Sequence, residues 1–224
     1  MVNLLNRVKF TLVLLMNSKN KLKNFDNSFI AGDVFHISGV DEAGRGPLAG
    51  PVVAAAVIFD KDFFIEGVND SKKLSKKMRD ELYTKITSSA LSYGIGIIDN
   101  EEIDKINILQ ASLKAMKIAV EKLSTKPDLV LIDGNKSFLS SIKTKTVVKG
   151  DSKSFAIAAA SIIAKVTRDK MMVEASKIYP QYMWHQNKGY PTKLHREAVI
   201  KHGPTPLHRK TFLKNFNCEE IKLF

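Results

Sequence analysis

The chain has 224 residues, enough for one generous domain or two small ones, with ordinary shares of hydrophobic (44%) and charged (26%) residues. Its 35 Lys and Arg outnumber 23 Asp and Glu, and the net charge of +12 favours a polyanionic partner, although a lysine-rich genome would give the same excess. The single cysteine, Cys218, excludes an intrachain disulfide and indicates a reducing compartment, so we expect a cytoplasmic protein.

The start of the chain carries a short apolar run and no clear element. The run from Phe10 to Met16 is far shorter than the ~20 residues that a helix needs to cross a bilayer, so we expect no membrane partner. The Asn- and Lys-rich stretch after it lacks a signal-peptide cleavage pattern. We therefore predict a poorly specified extension over residues 1–34, a main domain over residues 35–214 and a tail over residues 215–224.

Apolar runs punctuated by Gly, Pro and Asp predict five strands. These strands span about His36–Val40, Val52–Phe59, Leu91–Ile98, Asp128–Ile132 and Thr146–Val148. The early strands follow one another closely, and strands and helices alternate later, which indicates one mixed α/β sheet covered by helices.

Helical spacing of apolar residues predicts two helices before the fourth strand. The first begins after the N-cap Ser75 and has Met78, Leu82 and Ile86 on its inward face. The second begins at Asn100. Its apolar stripe, with spacings of four and three, is Leu109, Leu113, Met116, Val120 and Leu123.

The C-terminal portion is predicted to be helical. A long helix from about Ser154 to Ile178 is nearly all apolar or small in its first half, so it should be buried against the sheet. A loop from Pro180 to Pro191 follows. The last clear helix spans about Thr192 to His202.

The most informative stretch of the sequence ends the first strand. Asp41 and Glu42 are adjacent carboxylates, and carboxylates bind hard divalent cations. Gly44, Arg45 and Gly46 follow, and glycine allows the backbone to approach a ligand closely. A cation site beside such a gap indicates chemistry on a phosphodiester. Because consecutive residues of a regular strand point to opposite faces, we expect the strand to break at Asp41 and Glu42.

Two later strand ends also carry acids, Asp133 and Asp151. The ends of different strands can meet at one edge of a sheet, which is where α/β proteins bind ligands. Each Asp-Gly or Gly-Asp pair taken singly is typical of an ordinary turn. Together with the Gly-rich loop, these acids predict a site in which divalent cations offset the repulsion among four carboxylates.

Six segments, in order and without a large gap between about Ile37 and Phe212, resemble the ribonuclease HII family. They are Asp41–Pro51, Asn69–Lys72, Leu131–Gly134, Lys149–Asp151, Ala159–Asp169 and His185–Tyr190. The resemblance implies a ribonuclease H-like fold with a C-terminal helical portion, and residues 35–214 as the catalytic domain. It also implies hydrolysis of the RNA strand of RNA–DNA hybrids and incision 5′ of single ribonucleotides embedded in duplex DNA.

The same resemblance implies roles for the acids. Asp41, Glu42 and Asp133 would bind the metal, two Mg²⁺ or Mn²⁺ ions per site, and Asp151 would complete the catalytic set. Water would attack, so the expected products carry 3′-hydroxyl and 5′-phosphate ends. Asp169 is a candidate for an additional acid, with an ion pair to a neighbouring Lys as its alternative.

Substrate contacts are implied in the same way. The segment Gly44, Arg45 and Gly46 resembles the family loop that senses the ribose 2′-hydroxyl, the group that distinguishes RNA from DNA. Tyr190 aligns with the family tyrosine that stacks on the sugar at the RNA–DNA junction; its alternative is a core aromatic.

Candidate phosphate contacts come from two regions. Lys188 lies beside that tyrosine, and Ser152, Lys153 and Ser154 follow the fourth acid, although Ser154 is also suited to cap a helix. The histidines near the C-terminus fit no zinc spacing and are interpreted as structural or as facing nucleic acid. Trp184 is interpreted as packing.

Three alternative functions fit this pattern of residues less well. Another acid-cluster nuclease, such as a junction resolvase, would not need a ribose sensor. A binding protein without catalysis would have lost a metal ligand, yet all four acids are present. A phosphate-binding metabolic enzyme would carry a different glycine pattern. We expect a monomer that acts on RNA–DNA hybrids and on duplex DNA with embedded ribonucleotides.

Overall fold

The computed structural model describes residues 21–214. Its strands are β1 (Ile37–Ala43), β2 (Val52–Ile58), β3 (Ser92–Ile98), β4 (Leu129–Asp133) and β5 (Lys143–Val147). Its helices are α1 (Lys21–Asn27), α2 (Lys76–Ser89), α3 (Asn100–Ile106), α4 (Ile108–Glu121), α5 (Phe155–Ile178), α6 (Trp184–Asn187), α7 (Lys193–His202) and α8 (Lys210–Leu213). Short 3₁₀ turns lie at Ser71–Lys73, Gly150–Ser152 and Pro180–Tyr182.

The strands form one five-stranded sheet in the order β3-β2-β1-β4-β5. β2 is antiparallel to both β1 and β3, whereas β4 is parallel to both β1 and β5. The predicted mixed sheet with flanking helices is therefore confirmed. Because β1, β4 and β5 run in the same direction, their carboxyl ends lie at one edge of the sheet, where ligands bind in open α/β sheets.

Helices cover both faces of this sheet. On one face, Ile157 of α5 packs with Ile37 of β1. On the other face, Ala115 and Met116 of α4 pack with Val40. Side chains alternate along a strand, so the odd-numbered residues of β1 point toward α5 and the even-numbered residues toward α4.

The predicted helix after Ser75 is confirmed as α2. The Ser75 hydroxyl accepts a hydrogen bond from the backbone of Met78, and Leu82 and Ile86 are buried. Met78 itself is 45% exposed, so its assignment to the inward face is wrong. Steps of four residues overshoot a 3.6-residue turn, and two such steps carry Met78 away from the packed stripe.

The next two predicted helices differ in outcome. The helix expected from Asn100 is broken into α3 and α4 at Asn107, whose φ of 68° lies in the left-handed region and whose side chain caps α4. The long helix is confirmed as α5, with Ser154 as its N-cap. The segment from Pro180 to Pro191, read as a loop, contains a 3₁₀ turn and the short α6.

Two elements escape the sequence pattern. β5 begins at Lys143 rather than Thr146, because an exposed edge strand lacks the apolar alternation that marks a strand. α1 lies within the predicted extension, and its Phe25, together with Phe29, packs against the cluster that contains Ile37. The division of the chain into extension, domain and tail stays a prediction. Within residues 21–214, no helix is long and apolar enough to cross a membrane.

Candidate active site

Four carboxylates lie where β1, β4 and β5 end. Asp41 and Glu42 lie near the end of β1, Asp133 ends β4, and Asp151 lies in the 3₁₀ turn after β5. Burial raises the pKa of Asp41 well above its ordinary value, and repulsion from the other three acids raises it further. Burial also raises the pKa of Glu42, against the opposing charge of Arg45, and that of Asp133. The structure thus brings together the acids that follow three different strands.

β1 does not break at the adjacent carboxylates, so that prediction is wrong. Its pairing with β2 continues past Glu42, which lies opposite Ala54. Its pairing with β4 ends at Val40, so the last residues of β1 extend beyond β4 on that side. Asp41 therefore lies on the α5 face and Glu42 on the α4 face. Asp133 lies within electrostatic reach of both, because it ends the neighbouring strand.

Each acid bonds to a donor of the protein in this structure. The Asp133 Oδ1 accepts from the backbone N–H of Gly150 at 2.6 Å. The Lys72 Nζ donates to the Asp151 Oδ2 at 3.2 Å. The Asp41 Oδ1 accepts from the backbone N–H of Glu42 at 2.7 Å. On the α4 face, Arg45 Nη1 lies 3.4 Å from Glu42 Oε1.

The chemistry of these donors fits a hard divalent cation. Within the described residues, no three His, Cys, Asp or Glu side chains already have the geometry of a formed metal site. The acids nevertheless repel one another while half-buried or buried, and bound cations relieve such repulsion. A metal ion at this edge would take over the role of counter-charge from Lys72 and Arg45.

Two buried arginines hold the Gly-rich loop that follows β1. Arg209 and Arg168 are 0% and 1% exposed. Arg209 Nη2 donates to the carbonyls of Gly44 at 2.7 Å and Gly50 at 2.8 Å. Arg168 Nε donates to the carbonyl of Pro51 at 2.9 Å. Each hydrogen bond to a charged group contributes about 1.5–3 kcal/mol, so these contacts fix the path of the loop.

The glycines of the loop differ in what a side chain would meet. Gly44 has a φ of 102°, and an added Cβ would overlap the side chain of Arg168. Glycine is therefore required there on both steric and conformational grounds. At Gly46 an added Cβ would have only the Tyr190 Cε1 within van der Waals range, at 3.8 Å. The loop thus leaves a narrow gap, with room for about one methyl group, between the Gly46 backbone and the tyrosine ring.

Tyr190 and Lys188 are tied to the same loop. The Leu48 N–H donates to the Gly189 carbonyl at 2.8 Å. Arg168 Nη1 donates to the Lys188 carbonyl at 3.0 Å, and its Cζ lies 5.8 Å from the centroid of the tyrosine ring. Tyr190 is 38% exposed, which leaves part of the ring free to contact a ligand.

A buried polar cluster supports Tyr190 from the interior. His195 and His208 are 0% and 1% exposed, with their Nε2 atoms 3.2 Å apart. Trp184 Nε1 donates to His195 Nε2 at 3.0 Å, which assigns the His195 proton to Nδ1, where it bonds the Tyr190 carbonyl at 2.9 Å. Burial lowers the pKa of both histidines, that of His208 to about 3. The packing role of Trp184 and the structural interpretation of these two histidines are confirmed.

Two candidate residues are explained by other contacts. Ser154 is fully buried, and its hydroxyl accepts from the Ile157 N–H at 3.1 Å, so its assignment as a substrate contact is wrong and the capping alternative is correct. Asp169 forms an ion pair with Lys165, with 2.7 Å between Oδ1 and Nζ. That ion pair is the alternative that the sequence offered for Asp169.

Comparison with known proteins decides the family. The sequence model of the ribonuclease HII family matches residues 38–215. The chain belongs to this family. A ribonuclease HII of Clostridioides difficile is 56% identical over 191 residues, which cover 85% of this chain and 75% of the relative.

Solved structures of the wider ribonuclease H group share the fold. The ribonuclease H2 of Pyrococcus horikoshii superposes with a TM-score of 0.66 and 28% identity, over 79% of this chain and 93% of the other. Bst-RNase HIII in complex with Mn²⁺ superposes with a TM-score of 0.60 and 19% identity, over 84% of this chain and 64% of the other. The ribonuclease H-like fold is therefore confirmed, and the chain is an endonuclease of the ribonuclease H type, from a family whose enzymes act on nucleic acid and depend on divalent metal ions.

Five residues around the site make contacts that the sequence does not predict. Lys72 lies in a segment that resembles ribonuclease HII, so the sequence marks this segment but does not show that Lys72 pairs with Asp151. Arg168 also lies in such a segment, whereas Arg209 follows the last of them. His195 and His208 show only as isolated polar residues. The contacts of these five residues join segments up to 165 positions apart, as in the bond from Arg209 to Gly44, and no local sequence pattern predicts such contacts.

Proposed function

We propose that this enzyme hydrolyses the RNA strand of RNA–DNA hybrids and cuts duplex DNA on the 5′ side of a single embedded ribonucleotide. The observation that carries the proposal is the gap between the Gly46 backbone and the Tyr190 ring, on the loop that directly follows Asp41 and Glu42. A ribose bound at the open side of this gap would meet both the backbone N–H groups of the loop and the tyrosine ring. The scissile phosphate would then lie at the acids.

The acids are proposed to hold two Mg²⁺ or Mn²⁺ ions. When bound, such ions activate a water molecule and stabilise the leaving 3′ oxygen, which gives 3′-hydroxyl and 5′-phosphate ends. Asp41 and Asp133 lie on the α5 face with Asp151, and Glu42 supplies a carboxylate from the α4 face. These carboxylates fix the ions, while Lys72 balances the charge of Asp151.

Recognition of the sugar is proposed to come from the loop and Tyr190. The 2′-hydroxyl is both a donor and an acceptor, so close backbone groups can detect it. Gly46 allows that approach, and Arg45, whose side chain is half-exposed, can contact an adjacent phosphate. Tyr190 is held in place through His195 and the backbone of Lys188. The loop is held by Arg168 and Arg209, so the gap is preformed.

A basic cavity beside Tyr190 is proposed to bind the phosphate backbone of the duplex. This cavity of about 180 Å³ is lined by Lys76, Arg79, Lys170 and Lys188, together with acidic and apolar neighbours. Burial lowers the pKa of Lys188; attraction to Asp169 opposes this shift, and repulsion from other cations, including Lys76 and Arg79, adds to it. Cations gathered in this way are stabilised by a polyanion.

The competing functions lack a matching observation. A resolvase-type nuclease has no use for a glycine-rich loop held beside an exposed tyrosine, and a binding protein has no use for Asp41, Glu42 and Asp133 with raised pKa values at one edge of the sheet. We propose that the enzyme acts as a cytoplasmic monomer.

Comparison of two substrates tests the proposal. A labelled RNA–DNA hybrid and a labelled DNA duplex with one ribonucleotide are each cut by wild-type protein and by Tyr190→Ala. Loss of one base- or sugar-stacking contact of about 1–3 kcal/mol predicts a loss of roughly 5- to 100-fold in kcat/KM at the single ribonucleotide. Equal activity of the two proteins on both substrates would contradict the role of Tyr190, and no cutting by wild-type protein would contradict the function.

A further inference from the structure

Helix α1 lies outside residues 38–215, the part that matches the ribonuclease HII family, yet it contacts α5, the helix that follows the turn with the fourth acid. Its Asp26 is only 3% exposed. The Asp26 Oδ2 accepts a hydrogen bond from the backbone N–H of Ala156 at 2.8 Å. A residue 130 positions away along the chain therefore caps the first turn of α5.

A short series of hydrogen bonds leads from that first turn to the acids. The Ser154 N–H donates to the Gly150 carbonyl at 2.8 Å. The Gly150 N–H in turn donates to Asp133 Oδ1 at 2.6 Å. Asp151 lies within this same turn, between the two bonded backbone groups. The position of two acids thus depends on how firmly the start of α5 is held.

α1 is itself anchored on two sides. Lys23 Nζ donates to the Asp60 carbonyl at 2.9 Å and lies 5.6 Å from the centroid of the Phe155 ring. Phe25 packs with the cluster that contains Ile37 at the start of β1. The cap that Asp26 provides is therefore fixed relative to the sheet and not only to the helix it caps.

We propose that Asp26 is a positioning residue of the acid site, which holds the turn from Gly150 to Ser154 so that Asp133 and Asp151 can bind the divalent ions together. The proposal rests on the proposed metal-dependent hydrolysis. Asp26, which lies outside the part of the chain that matches the family, would thus contribute to the affinity of the enzyme for metal ions. Without the cap, the first turn of α5 frays, and Asp151 samples positions away from the ions.

The test compares Asp26→Ala, Asp26→Asn and a control, Ser92→Ala. Asparagine keeps an acceptor of the same size in the same place. Ser92 is buried at the start of β3, far from the acids, and its hydroxyl bonds the Ser124 side chain and backbone at 3.0 and 2.9 Å. The control thus removes a comparable buried hydrogen bond elsewhere.

The Mn²⁺ dissociation constant, by calorimetry, and kcat and KM for a duplex with one ribonucleotide are measured at a temperature at which all proteins are folded. The melting temperature of each protein is measured separately by thermal unfolding. Loss of a helix cap predicts Mn²⁺ binding weaker by about 3- to 10-fold in Asp26→Ala. KM for the duplex should stay unchanged, Asp26→Asn should bind Mn²⁺ within about two-fold of wild type, and Ser92→Ala should lower only the melting temperature.

The result that overturns the proposal is Mn²⁺ binding and kcat of Asp26→Ala equal to wild type, with only a lower melting temperature. If Asp26→Ala does not fold, Asp26→Glu takes its place, because the longer side chain keeps the charge but misplaces the acceptor, and the same outcomes apply. Failure of the proposed function is distinguishable: wild-type protein itself would then neither bind Mn²⁺ nor cut the duplex.

Discussion

The charged residues of the site act through partners that lie far away in the sequence. Asp151 is balanced by Lys72, 79 positions away, and Asp133 accepts a backbone bond from Gly150. Each partner fixes the direction of a carboxylate that would otherwise turn away from its neighbours. The raised pKa values of Asp41 and Asp133 show that burial and mutual repulsion remain even with these partners. The site is therefore arranged for function at a cost in stability.

Replacement of Asp41 by Asn is expected to separate function from stability. Cleavage should fall by about 10³-fold or more, since several kcal/mol of transition-state stabilisation by the ions is lost. The melting temperature in EDTA should rise, because a buried carboxylate with a raised pKa destabilises the fold once it is ionised. For the same reason, protonation as the pH falls stabilises the wild-type fold at this position, and Asp41→Asn should remove that dependence.

Single-turnover cleavage and thermal unfolding in EDTA check both parts. Glu101→Gln, an exposed acid in the first turn of α3, serves as the control and should change neither quantity. Full activity of Asp41→Asn would show that the acid cluster is not the reactive centre.

The buried histidines make the opposite contribution to pH dependence. Burial lowers the pKa of His208 to about 3, below its ordinary value of 6.5. The stability that this group contributes is therefore complete above about pH 6.5 and is lost as the pH falls toward 3. His208→Gln should have a weaker pH dependence of the free energy of unfolding between pH 6.5 and 4.5, by at most ~1.4 kcal/mol per pH unit.

Urea unfolding at several pH values measures this slope, with the exposed His202→Gln as the control. An unchanged slope in His208→Gln would mean that the His195–His208 pair is not kept neutral by burial, and the assigned support of the Tyr190 backbone would lose its basis.

Among the elements, the loop between β1 and β2 connects recognition to catalysis. It begins directly after the adjacent acids, is bonded from the interior by Arg168 and Arg209, and faces Tyr190 on its outer side. Because its carbonyls are already bonded, the loop can present its N–H groups without rearrangement. A preformed loop of this kind reduces the ordering that substrate binding must otherwise supply.

Alanine substitutions at the two glycines of this loop should differ. Gly44→Ala places a Cβ into Arg168 at a φ of 102°, so the protein should be destabilised by about 1–3 kcal/mol and lose activity. Gly46→Ala meets only the Tyr190 ring at 3.8 Å, so the fold should remain stable. Its added methyl fills the narrow gap at which the ribose binds, and incision at a single ribonucleotide should fall by at least about 10-fold.

Melting temperatures and incision rates of the two variants test this difference. A Gly46→Ala protein that is as unstable as Gly44→Ala would indicate that the gap is needed for folding. A Gly46→Ala protein with wild-type incision would mean that the ribose lies elsewhere.

At the scale of the whole molecule, some of the positively charged side chains line a cavity near the site. The lysines and the arginine that line the basic cavity between α2 and α5 contribute to the net charge of +12. This cavity lies on the Tyr190 side of the loop. Lys76 pairs with Asp80 at 2.8 Å, and Lys170 lies 4.3 Å from the centroid of the Tyr83 ring. These partners leave the cavity positively charged overall, and a duplex that spans the acids can reach it.

Removal of the cavity lysines should reduce the salt dependence of binding. The binding measurements use protein that carries Asp133→Asn, because this substitution prevents cleavage of the duplex. In that background, Lys76→Ala and Lys170→Ala are each expected to lower the magnitude of the slope of log K against log[salt] by about 0.9. Fluorescence anisotropy with a ribonucleotide-containing duplex measures the slope. Lys117→Ala is the matched control, since Lys117 also forms an i,i+4 pair, with Glu121, on the other face of the sheet. Equal slopes in all three variants would remove the cavity from the interface.

The sequence predicts the parts of this fold that depend on local pattern. The mixed sheet, the caps at Ser75 and Ser154 and the placement of acids at strand ends all follow from periodicity and residue type. The continuation of β1 through Glu42 was not predictable, because it depends on pairing with β2. α1 is too short to show a helical stripe, and its packing decides its structure.

The contacts that hold the site together were the least predictable part. A buried arginine such as Arg209 reads in the sequence as one more surface cation, and only its bond to Gly44 shows otherwise. In the same way Ser154 carries the residue type of a phosphate contact, while its burial makes it a helix cap.

The proposed activity that most directly distinguishes this enzyme is cleavage by the acids next to a single ribonucleotide in DNA. The direct measurement is the position and end chemistry of cuts in a labelled duplex with one ribonucleotide, in Mg²⁺, Mn²⁺ or EDTA, for wild type and Asp133→Asn. We predict one metal-dependent cut on the 5′ side of the ribonucleotide, with a 3′-hydroxyl and a 5′-phosphate, absent in EDTA and in the variant. Cutting that persists in EDTA or in Asp133→Asn, or that occurs at positions unrelated to the ribonucleotide, would contradict the proposed activity of the acids.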